Sequence, residues 1–550
     1  MSVGDRRDAA KPEKPPSEGS SQTATGTREF TRRARAARRR AARRQALRSR
    51  AQARMGGSLS LAALARRSLS RIPRAARVCA LLAFLNAACW SLITPPFQVP
   101  DEPDHFAYVQ QLAETGSLPE PNAGRYSPEE RVALIDLRQK DVRIRTVAQT
   151  ISSRAQQRTL EADLSQSPPR RGPGGAGVAN NEPPLYYALQ TIPYALGSSG
   201  TILDRLELMR LLSALMGALT ALFAFLFLRE ALPGAPWAWT VGGLGVALAP
   251  LLGFVSGAVN PDALLFAVSA ALFYCLARAF RRGLTRGLAI ATGAVIAIGF
   301  MTKLNFVGLA PGAILGLILL ARREARSGGR AVYYRVLAPA LLIALSPVML
   351  YALVNAASGH PALGIVSGGI TALTSGQTPI SHELSYIWQL YLPPLPGMHN
   401  YFGEILTTRQ IWFNGLVGLY GWMDTAFPGW VYDVALISAG LIGVLCLREL
   451  AIGRTALRHR VAELVTYAAM SLGVLVLVGA SGYSQASTLP AEFAEPRYLL
   501  PMLALWGAVL ALAARGAGRR WGPAAGASIV VLVLAHDLFS QLQLISRYYG

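Results

Sequence analysis

The sequence predicts an all-α polytopic membrane protein with about eleven transmembrane helices. Hydrophobic residues fill 52% of its 550 positions, charged residues fill only 15%, and the mean hydropathy is +0.32. This balance is typical of a membrane-embedded chain rather than of several soluble domains. Apolar runs long enough to cross about 30 Å of hydrocarbon recur along the chain. They lie near Arg77–Thr94, Leu208–Leu228, Trp237–Val255, Ala263–Phe280, Leu288–Met301, Phe306–Ala321, Val336–Val354, Trp430–Leu447, Val461–Ala480, Leu499–Ala514 and Pro523–Phe539.

The arginines between the spans predict the orientation of the chain. Connections on the cytoplasmic side of a membrane are enriched in Lys and Arg. Arginines cluster after the fourth, sixth, eighth and tenth spans, on the side that also holds the N-terminus. The four clusters are Arg278, Arg281, Arg282 and Arg286; Arg322, Arg323, Arg326, Arg330 and Arg335; Arg448, Arg454, Arg458 and Arg460; and Arg515, Arg519 and Arg520. We therefore expect two long extracytoplasmic loops, at about residues 95–207 and 356–429, the first of which carries amphipathic helices.

Most of the net charge of +23 comes from the chain before the first span. We divide the protein into a disordered basic cytoplasmic tail, residues 1–76, and a transmembrane domain, residues 77–550. The first part of the tail is rich in Pro, Ser and Gly, and Arg28–Arg54 has the Ala and Arg content of a helix that lies on anionic lipid. Nucleic-acid binding would need a folded reader module, which we do not find, so we expect no nucleic-acid partner. No small-residue cleavage site follows the tail, which argues against a signal peptide.

An acidic motif directly after the first span is the most informative stretch of the chain. The stretch PPFQVPDEPDHF places four ionisable groups next to the end of an apolar helix: Asp101, Glu102, Asp104 and His105. A carboxylate inside lipid costs about 2.5–3.5 kcal/mol on insertion scales, so such a group belongs at a polar surface. The surrounding prolines end the helix and fix the path of the loop. The motif therefore predicts a site at the extracytoplasmic membrane surface.

Polar motifs recur at the extracytoplasmic ends of other spans. They are Asn180-Asn181-Glu182-Pro183-Pro184 before the second span, Asn260-Pro261-Asp262 before the fourth, Thr302-Lys303 after the fifth and Glu495-Pro496-Arg497-Tyr498 before the tenth. One such motif carries little information, but several that meet at one membrane face indicate a shared cavity. We expect acidic groups on one wall of this cavity and basic groups on another.

Four of these stretches resemble the motifs of known enzymes. PDEPDHFAYVQQLAETG, NEPPLYYAL, MTKLNFVGLAPG and EPRYLLPML are similar to loop and helix-end motifs of GT-C-type integral membrane glycosyltransferases, such as protein mannosyltransferases and the aminoarabinose transferases of lipid A. The chain also resembles a bacterial membrane family of unknown function that is related to them. The resemblance covers Pro95 to about Leu503, but Asn181-Glu182 stands where related enzymes often have His before Pro-Pro. It implies a GT-C-like fold in a bacterial plasma membrane, and transfer with inversion at the anomeric carbon.

The predicted location of the cavity restricts its chemistry. The extracytoplasmic face lacks nucleotide sugars, so a transferase there needs a donor that the bilayer delivers, such as a polyprenyl-phosphate sugar. A carboxylate that accepts the proton of the attacking hydroxyl typically contributes about 10²–10⁴-fold. A preorganised cation stabilises the departing phosphate. Asp101 or Glu102 fits the general base, and Arg497 with Lys303 fits a phosphate clamp.

We accordingly predict a hexosyl- or pentosyltransferase that uses a polyprenyl-phosphate sugar. Its acceptor is a glycan, lipid or protein of the cell envelope. Membrane lipid surrounds the enzyme. The predicted substrate- and phosphate-binding residues are Arg497, Lys303, Tyr498, His105, Glu182 and Asn181.

Each of these residues also has a purely structural explanation. Asp101 fits the N-cap of the helix that follows it, and Glu102 fits a hydrogen-bond partner behind the base. His105 fits a structural residue that lines the cavity, and Arg497 and Lys303 fit side chains that extend to the headgroups. Asp101, Glu102 and His105 are ligand types that a divalent metal accepts. Their short spacing alone does not define a metal site, so we assign no cofactor and keep a divalent metal at these three residues as an alternative.

Two other functions compete with the transferase. A transporter or flippase of a lipid-linked glycan would place polar residues inside the spans and often has an internal repeat. Here the polar motifs concentrate at one face. A catalytically inactive scaffold for envelope assembly would keep the fold without needing the acidic and basic motifs, which are intact in this chain.

The orientation can be tested by thiol labelling in intact cells. A cysteine at Ser167, in the first long loop, should react with an impermeant thiol reagent, whereas a cysteine at Ser327, in an arginine-rich connection, should react only after the cells are opened. The reverse pattern would overturn the orientation, and with it the extracytoplasmic site.

Overall fold

A computed structural model describes residues 72–120, 126–144, 153–172, 175–357, 359, 380–402, 408–486 and 495–550. The chain divides into two units, Met1–Ile72 and Pro73–Gly550, and the described residues belong almost entirely to the second. The predicted basic tail, residues 1–76, lies outside the described residues apart from its C-terminal end.

The described chain is almost entirely helical, which confirms the predicted class. The α-helices are α1 (Arg74–Ile93), α2 (Glu102–Thr115), α3 (Pro128–Asp136), α4 (Gln139–Arg143), α5 (Arg154–Ser165), α6 (Leu185–Leu196), α7 (Ile202–Ala231), α8 (Pro236–Ala247), α9 (Pro250–Ser256), α10 (Asp262–Arg282), α11 (Arg286–Thr302), α12 (Ala310–Gly328), α13 (Arg330–Ala357), α14 (Ile380–Tyr391), α15 (Gly415–Gly418), α16 (Gly429–Ile452), α17 (Arg454–Arg458), α18 (Val461–Ala486), α19 (Leu503–Gly516) and α20 (Gly518–Tyr549). The remaining helical segments are 3₁₀ turns at Gly177–Asn181, Leu304–Gly308 and Pro496–Met502 and a π-helical turn at Arg409–Asn414. Strands β1 (Leu419–Tyr420) and β2 (Thr425–Ala426) form one antiparallel hairpin.

Within the described residues, eight helices are long and apolar enough to cross a membrane, and the bent pair α8–α9 gives a ninth if it counts as one span. The eight are α1, α7, α10, α13 from Tyr333 onward, α16, α18, Pro496–Gly516 and α20. Helix α11, at the fifth predicted run, is apolar but shorter. The sixth run is divided between a 3₁₀ turn and α12, whose last turns carry arginines. The polytopic architecture is thus confirmed, whereas length and composition support fewer spans than eleven.

The third predicted span is broken at a proline. Helices α8 and α9 meet at an angle of 51°, and Pro250 begins α9 because proline has no N–H to donate to the preceding turn. Gly253 of α9 packs directly on α1, where a Cβ atom would lie 2.3 Å from Cδ1 of Trp90. This close approach brings the chain after α9 to the end of α1.

The two ends of the helical bundle differ in charge. At one end, the arginine end, Glu230 of α7 accepts hydrogen bonds from Arg281 and Arg282 at the end of α10. Arg460 donates to the carbonyl of Ala231 at the same end. Helix α10 is 21 residues long, or about 30 Å. Its first residue, Asp262, therefore lies at the opposite end, which we call the Asp101 end.

The described part of the first long loop is fixed to the bundle. Helix α2 ends at Gly116, which takes the left-handed conformation with φ of 73°. The described residues that follow include the short helices α3, α4 and α5. Glu129 of α3 accepts a hydrogen bond from Gln110 of α2 at 2.9 Å and forms an ion pair with the buried Arg205 of α7. Helix α3 therefore links the first loop to α7 at the Asp101 end.

A buried ion pair lies at the centre of the Asp101 end. Glu102 and Arg210 have fully buried side chains. Arg210 donates from Nε and Nη2 to the two carboxylate oxygens of Glu102, at 2.8 and 2.6 Å. The same two oxygens accept the backbone N–H groups of Phe97 and Val259, at 2.9 and 3.0 Å. Each oxygen of Glu102 thus accepts two hydrogen bonds.

Arg210 also donates hydrogen bonds to the carbonyl groups at the C-terminal end of α1. The last carbonyl groups of an α-helix have no partner within the helix. Nη1 of Arg210 donates to the carbonyls of Ser91 and Thr94, both at 3.0 Å, and Nη2 donates to that of Pro95 at 3.1 Å. One residue pair therefore joins the end of α1, the start of α2, α7 and the segment that precedes α10.

Removal of one charge from this pair should destabilise the protein strongly. Glu102→Gln should lower the free energy of unfolding by about 3–5 kcal/mol, because Arg210 would remain buried without a counterion. Thermal unfolding in detergent measures the loss as a lower Tm. Glu207→Gln is the matched control, since Glu207 lies 3.4 Å from the same guanidinium but is 43% exposed. A Glu102→Gln protein that unfolds at the wild-type temperature would contradict the structural role.

Candidate functional site

Charged side chains from four separate segments meet at the Asp101 end. Asp101 lies between α1 and α2, Asp262 begins α10, Lys303 follows α11, and Arg497 lies in the 3₁₀ turn before α19. These residues are far apart in sequence, and the helix ends bring them together. We call this group, with Glu495, the charged cluster.

The backbone directs Asp101 away from the helix that it precedes. Asp101 has φ of 64° and ψ of 4°, a left-handed conformation that is uncommon for a residue with a side chain. Pro100 precedes it, and Pro103 occupies the first turn of α2. The side chain of Asp101 accepts no hydrogen bond from the N–H groups of α2, so it is not the side-chain cap of that helix. Such backbone strain costs about 1–3 kcal/mol and occurs frequently at functional sites.

Arg497 is the centre of the charged cluster. It is 6% exposed. Its Nη2 donates to Oδ2 of Asp101 at 2.5 Å, while its Nε forms an ion pair with Glu495. Oδ2 of Asp262 lies 3.7 Å from the same Nε. One guanidinium therefore faces three carboxylates.

Lys303 supplies the second positive charge of the cluster. Its Nζ lies 2.8 Å from Oδ1 of Asp262, which is itself only 1% exposed. The ring of Tyr498 lies beside both cations, 5.9 Å from Nζ of Lys303 and 5.6 Å from Cζ of Arg497. Asp262 thus connects the two cations, and Tyr498 forms an aromatic wall next to them.

His105 packs behind the cluster, where it joins α2 to α6. Its Nδ1 lies 3.0 Å from the hydroxyl of Tyr187, whose ring stacks on that of Tyr108 with a centroid separation of 3.7 Å. Tyr108 donates to the carbonyl of Glu182 at 3.2 Å. Burial lowers the pKa of His105 to about 3, so the imidazole is neutral at physiological pH. This environment fits the structural explanation of His105.

The two residues of the Asn181-Glu182 motif lie in different environments. Asn181 is exposed at the end of a 3₁₀ turn, and the structure does not bring it into the charged cluster. Glu182 turns inward, and its buried Oε2 has no hydrogen-bond partner among the described residues. Burial raises the pKa of Glu182, although Lys303 acts in the opposite direction.

Asp101 and Glu102 are adjacent in sequence, but their environments differ. The carboxylate of Glu102 is fully buried and held by Arg210, whereas the side chain of Asp101 is 26% exposed. Burial alone would raise the pKa of Asp101, but the positive charges of Arg497 and Lys303 outweigh it and hold the pKa below its ordinary range. Asp101 is therefore ionised and within reach of a ligand. Of the two candidate bases, the geometry favours Asp101.

Among the described residues, no group of three or more His, Cys, Asp and Glu side chains is arranged to hold a metal ion. Glu102 is paired with Arg210, and His105 lies within hydrogen-bond distance of Tyr187. The structure therefore does not assemble Asp101, Glu102 and His105 into the ligand set that their spacing allows.

Sequence reasoning gave no role to three residues that shape this site. Arg210 falls within a predicted apolar span, where a charged residue usually has a buried partner, and that signal could have identified it. Asp262 and Glu495 belong to quoted motifs, but only the structure shows both carboxylates next to Arg497. The sequence alone does not reveal how the charges are paired.

Comparison with known proteins identifies a family. Residues 84–506 match the DUF2142 family, whose members are described as predicted membrane proteins. This region begins within α1, ends within α19 and includes the whole charged cluster. No curated protein and no solved structure gives a significant match. Since the match covers well over half of the chain, the protein belongs to the DUF2142 family of predicted membrane proteins.

Proposed function

We propose that the protein is a GT-C-type glycosyltransferase, which transfers a sugar from a polyprenyl-phosphate donor to a cell-envelope acceptor on the extracytoplasmic face. The pair formed by Asp101 and Arg497 is the main support for this proposal. It places a partly exposed, ionised carboxylate next to a buried guanidinium at the end of a membrane bundle. An inverting transfer from a lipid phosphate needs a base for the acceptor hydroxyl and a cation for the leaving phosphate, one on each side of the anomeric carbon.

The reaction assigns one role to each group. The acceptor hydroxyl gives its proton to Asp101 as its oxygen bonds to the anomeric carbon. The bond between that carbon and the phosphate oxygen breaks, and its electron pair leaves with the lipid phosphate. Arg497 and Lys303 stabilise the charge that develops there. Direct attack inverts the anomeric carbon and forms no covalent enzyme intermediate.

The charge asymmetry of the bundle supports a lipid-borne donor. The arginine end carries the basic connections, which are typical of a cytoplasmic face. The charged cluster at the opposite end then faces a compartment without nucleotide sugars. A polyprenyl phosphate keeps its tail in the hydrocarbon and presents its phosphate at headgroup depth, which is the level of these helix ends.

The polar residues within the spans favour an enzyme over a transporter. Asp537 of α20 is buried and accepts hydrogen bonds from Asn86 and Trp90 of α1 and from Gln541 of its own helix. Gln541 also donates to Asn86 at 2.9 Å. This network fixes the last helix to the first, so packing between helices accounts for these polar residues.

The proposal is tested with purified protein in nanodiscs and a panel of polyprenyl-phosphate sugars. Asp101→Asn should reduce turnover by about 10²–10⁴-fold, because the amide cannot accept the acceptor proton, while the Tm stays close to that of the wild type. Asp163→Asn is the matched control, since it removes one carboxylate from the same loop at a position outside the charged cluster. Normal turnover by Asp101→Asn would reject Asp101 as the base. A wild-type protein that uses none of the donors would count against the transferase itself.

The phosphate clamp predicts graded losses at the two cations. Arg497→Ala should lower kcat/KM for the donor by roughly ten- to a hundredfold, the equivalent of about 1.5–3 kcal/mol for a charge-assisted hydrogen bond. Arg497→Lys should recover only part of this loss, because an ammonium group cannot reproduce the guanidinium fork. Lys303→Ala should give a smaller defect. If Arg497→Ala kept the parent donor kinetics in steady-state assays, Arg497 would be an interface anchor and not a phosphate ligand.

A further inference from the structure

The charges of the cluster are already paired before a donor binds. Arg497 and Lys303 contribute two positive charges, and they face the carboxylates of Asp101, Asp262 and Glu495. A phosphate that approaches Arg497 therefore meets a neutralised cation. Phosphate can bind the guanidinium well only if one of the three carboxylates gives up its position, since like charges at this distance repel.

The structure distinguishes the carboxylate that can leave from those that stay. Asp262 is almost fully buried and also bound to Lys303. The side chain of Glu495 is 15% exposed and contacts the Nε side of the guanidinium, two residues before Arg497 in the chain. The side chain of Asp101 is the most exposed of the three, at 26%, and contacts Nη2. The Nη2 edge is thus where an incoming anion can replace a carboxylate.

We propose that Asp101 and the lipid phosphate bind alternately at the Nη2 edge of Arg497, an exchange in which the phosphate replaces the carboxylate. Glu495 is the positioning residue that holds Arg497 in place during this exchange. This inference rests on the proposed transferase function. The exchange itself breaks no covalent bond. It releases the carboxylate of Asp101 next to the bound donor, where it accepts the acceptor proton. After the lipid phosphate departs, the proton passes to solvent and Asp101 pairs with Arg497 again.

The exchange links base activation to donor binding. While Asp101 is paired with Arg497, it is a weak base and its Oδ2 is occupied. Once phosphate takes the guanidinium, Asp101 loses its main counterion and becomes more basic. The acceptor hydroxyl is therefore activated only when a donor is present.

A pH profile of the unmodified protein provides one test. The charged and titratable groups that interact with Asp101 are Arg497, Glu495, His105, Asp104, Lys303, Glu182 and Tyr498. Asp262 lies at the Nε side of Arg497. His105 remains neutral over the assay range, because its pKa is about 3. The acid limb of kcat reports the titration of Asp101 in the donor complex, and the acid limb of kcat/KM for the donor reports it in the protein without donor. The limb of kcat should lie at higher pH than the limb of kcat/KM. Coincident limbs would contradict the release of Asp101.

Binding of the lipid phosphate alone provides the decisive test. The probe is a short-chain polyprenyl monophosphate without sugar, titrated into protein in nanodiscs at fixed pH, with the matching polyprenol as the uncharged control. Asp101→Asn should bind the phosphate about five- to tenfold more tightly than the wild type, because its competitor is gone. Asp163→Asn should match the wild type. Asp101→Ser replaces the first variant if Asp101→Asn fails to fold.

Two further variants distinguish exchange at the Nη2 edge of Arg497 from a general gain in phosphate affinity on loss of a negative charge. Glu495→Gln removes a negative charge from the same guanidinium but should weaken binding, because Arg497 loses its anchor, and Glu495→Asp should restore part of the affinity. In the Arg497→Ala background, Asp101→Asn should no longer tighten binding. Tightening by Glu495→Gln, or persistent tightening without Arg497, would overturn the exchange.

The failures of the two proposals can be told apart. If the wild type binds the phosphate more tightly than polyprenol but Asp101→Asn does not improve binding, the exchange is wrong and the transferase proposal stands. If the wild type does not distinguish the phosphate from polyprenol, both proposals fall.

Discussion

The buried pair of Glu102 and Arg210 is the constraint on which the Asp101 end depends. Each carboxylate oxygen accepts two hydrogen bonds, and the guanidinium also satisfies the last carbonyls of α1. A buried charge is tolerated only when it is paired and fully hydrogen-bonded, so the chain around it has few alternative arrangements. The pair therefore fixes the turn in which Asp101 takes its left-handed conformation. Glu102 is thus buried in the fold, whereas the side chain of its neighbour Asp101 is partly exposed.

The charged cluster next to this pair is built differently. Its two cations face three carboxylates, and the Asp101 side chain is partly exposed. A cluster whose charges are already paired resembles a structural ion-pair network, and that similarity is the main argument against a phosphate site. The partial exposure of Asp101 and its position at one edge of Arg497 provide the counterargument. In the proposed exchange an anion enters there, while Asp262 and Glu102 keep their buried partners.

Local sequence patterns predicted the features that depend on neighbouring residues in the chain, such as helices and their ends. The apolar runs became helices, α2 ended at Gly116, and the motifs that contain Asp101, Lys303 and Arg497 met at one end of the bundle. The different environments of Asp101 and Glu102 could not be predicted, because they depend on Arg210, more than a hundred residues further along the chain. The break between α8 and α9 was also missed. Pro250 lies inside an apolar run, and the packing of Gly253 against Trp90 of α1 shows where the span bends.

The location of a bound lipid phosphate tests the account most directly. A cryo-electron microscopy structure of the protein in nanodiscs, prepared with a polyprenyl phosphate, would show where the phosphate lies. The proposed exchange predicts phosphate density in contact with Arg497 and next to Lys303, with the carboxylate of Asp101 turned away from the guanidinium. The exchange would be contradicted by phosphate density at another place while Asp101 is still bound to Arg497. One such place is the polar pocket of about 350 Å³ beside Asp424 and Arg547.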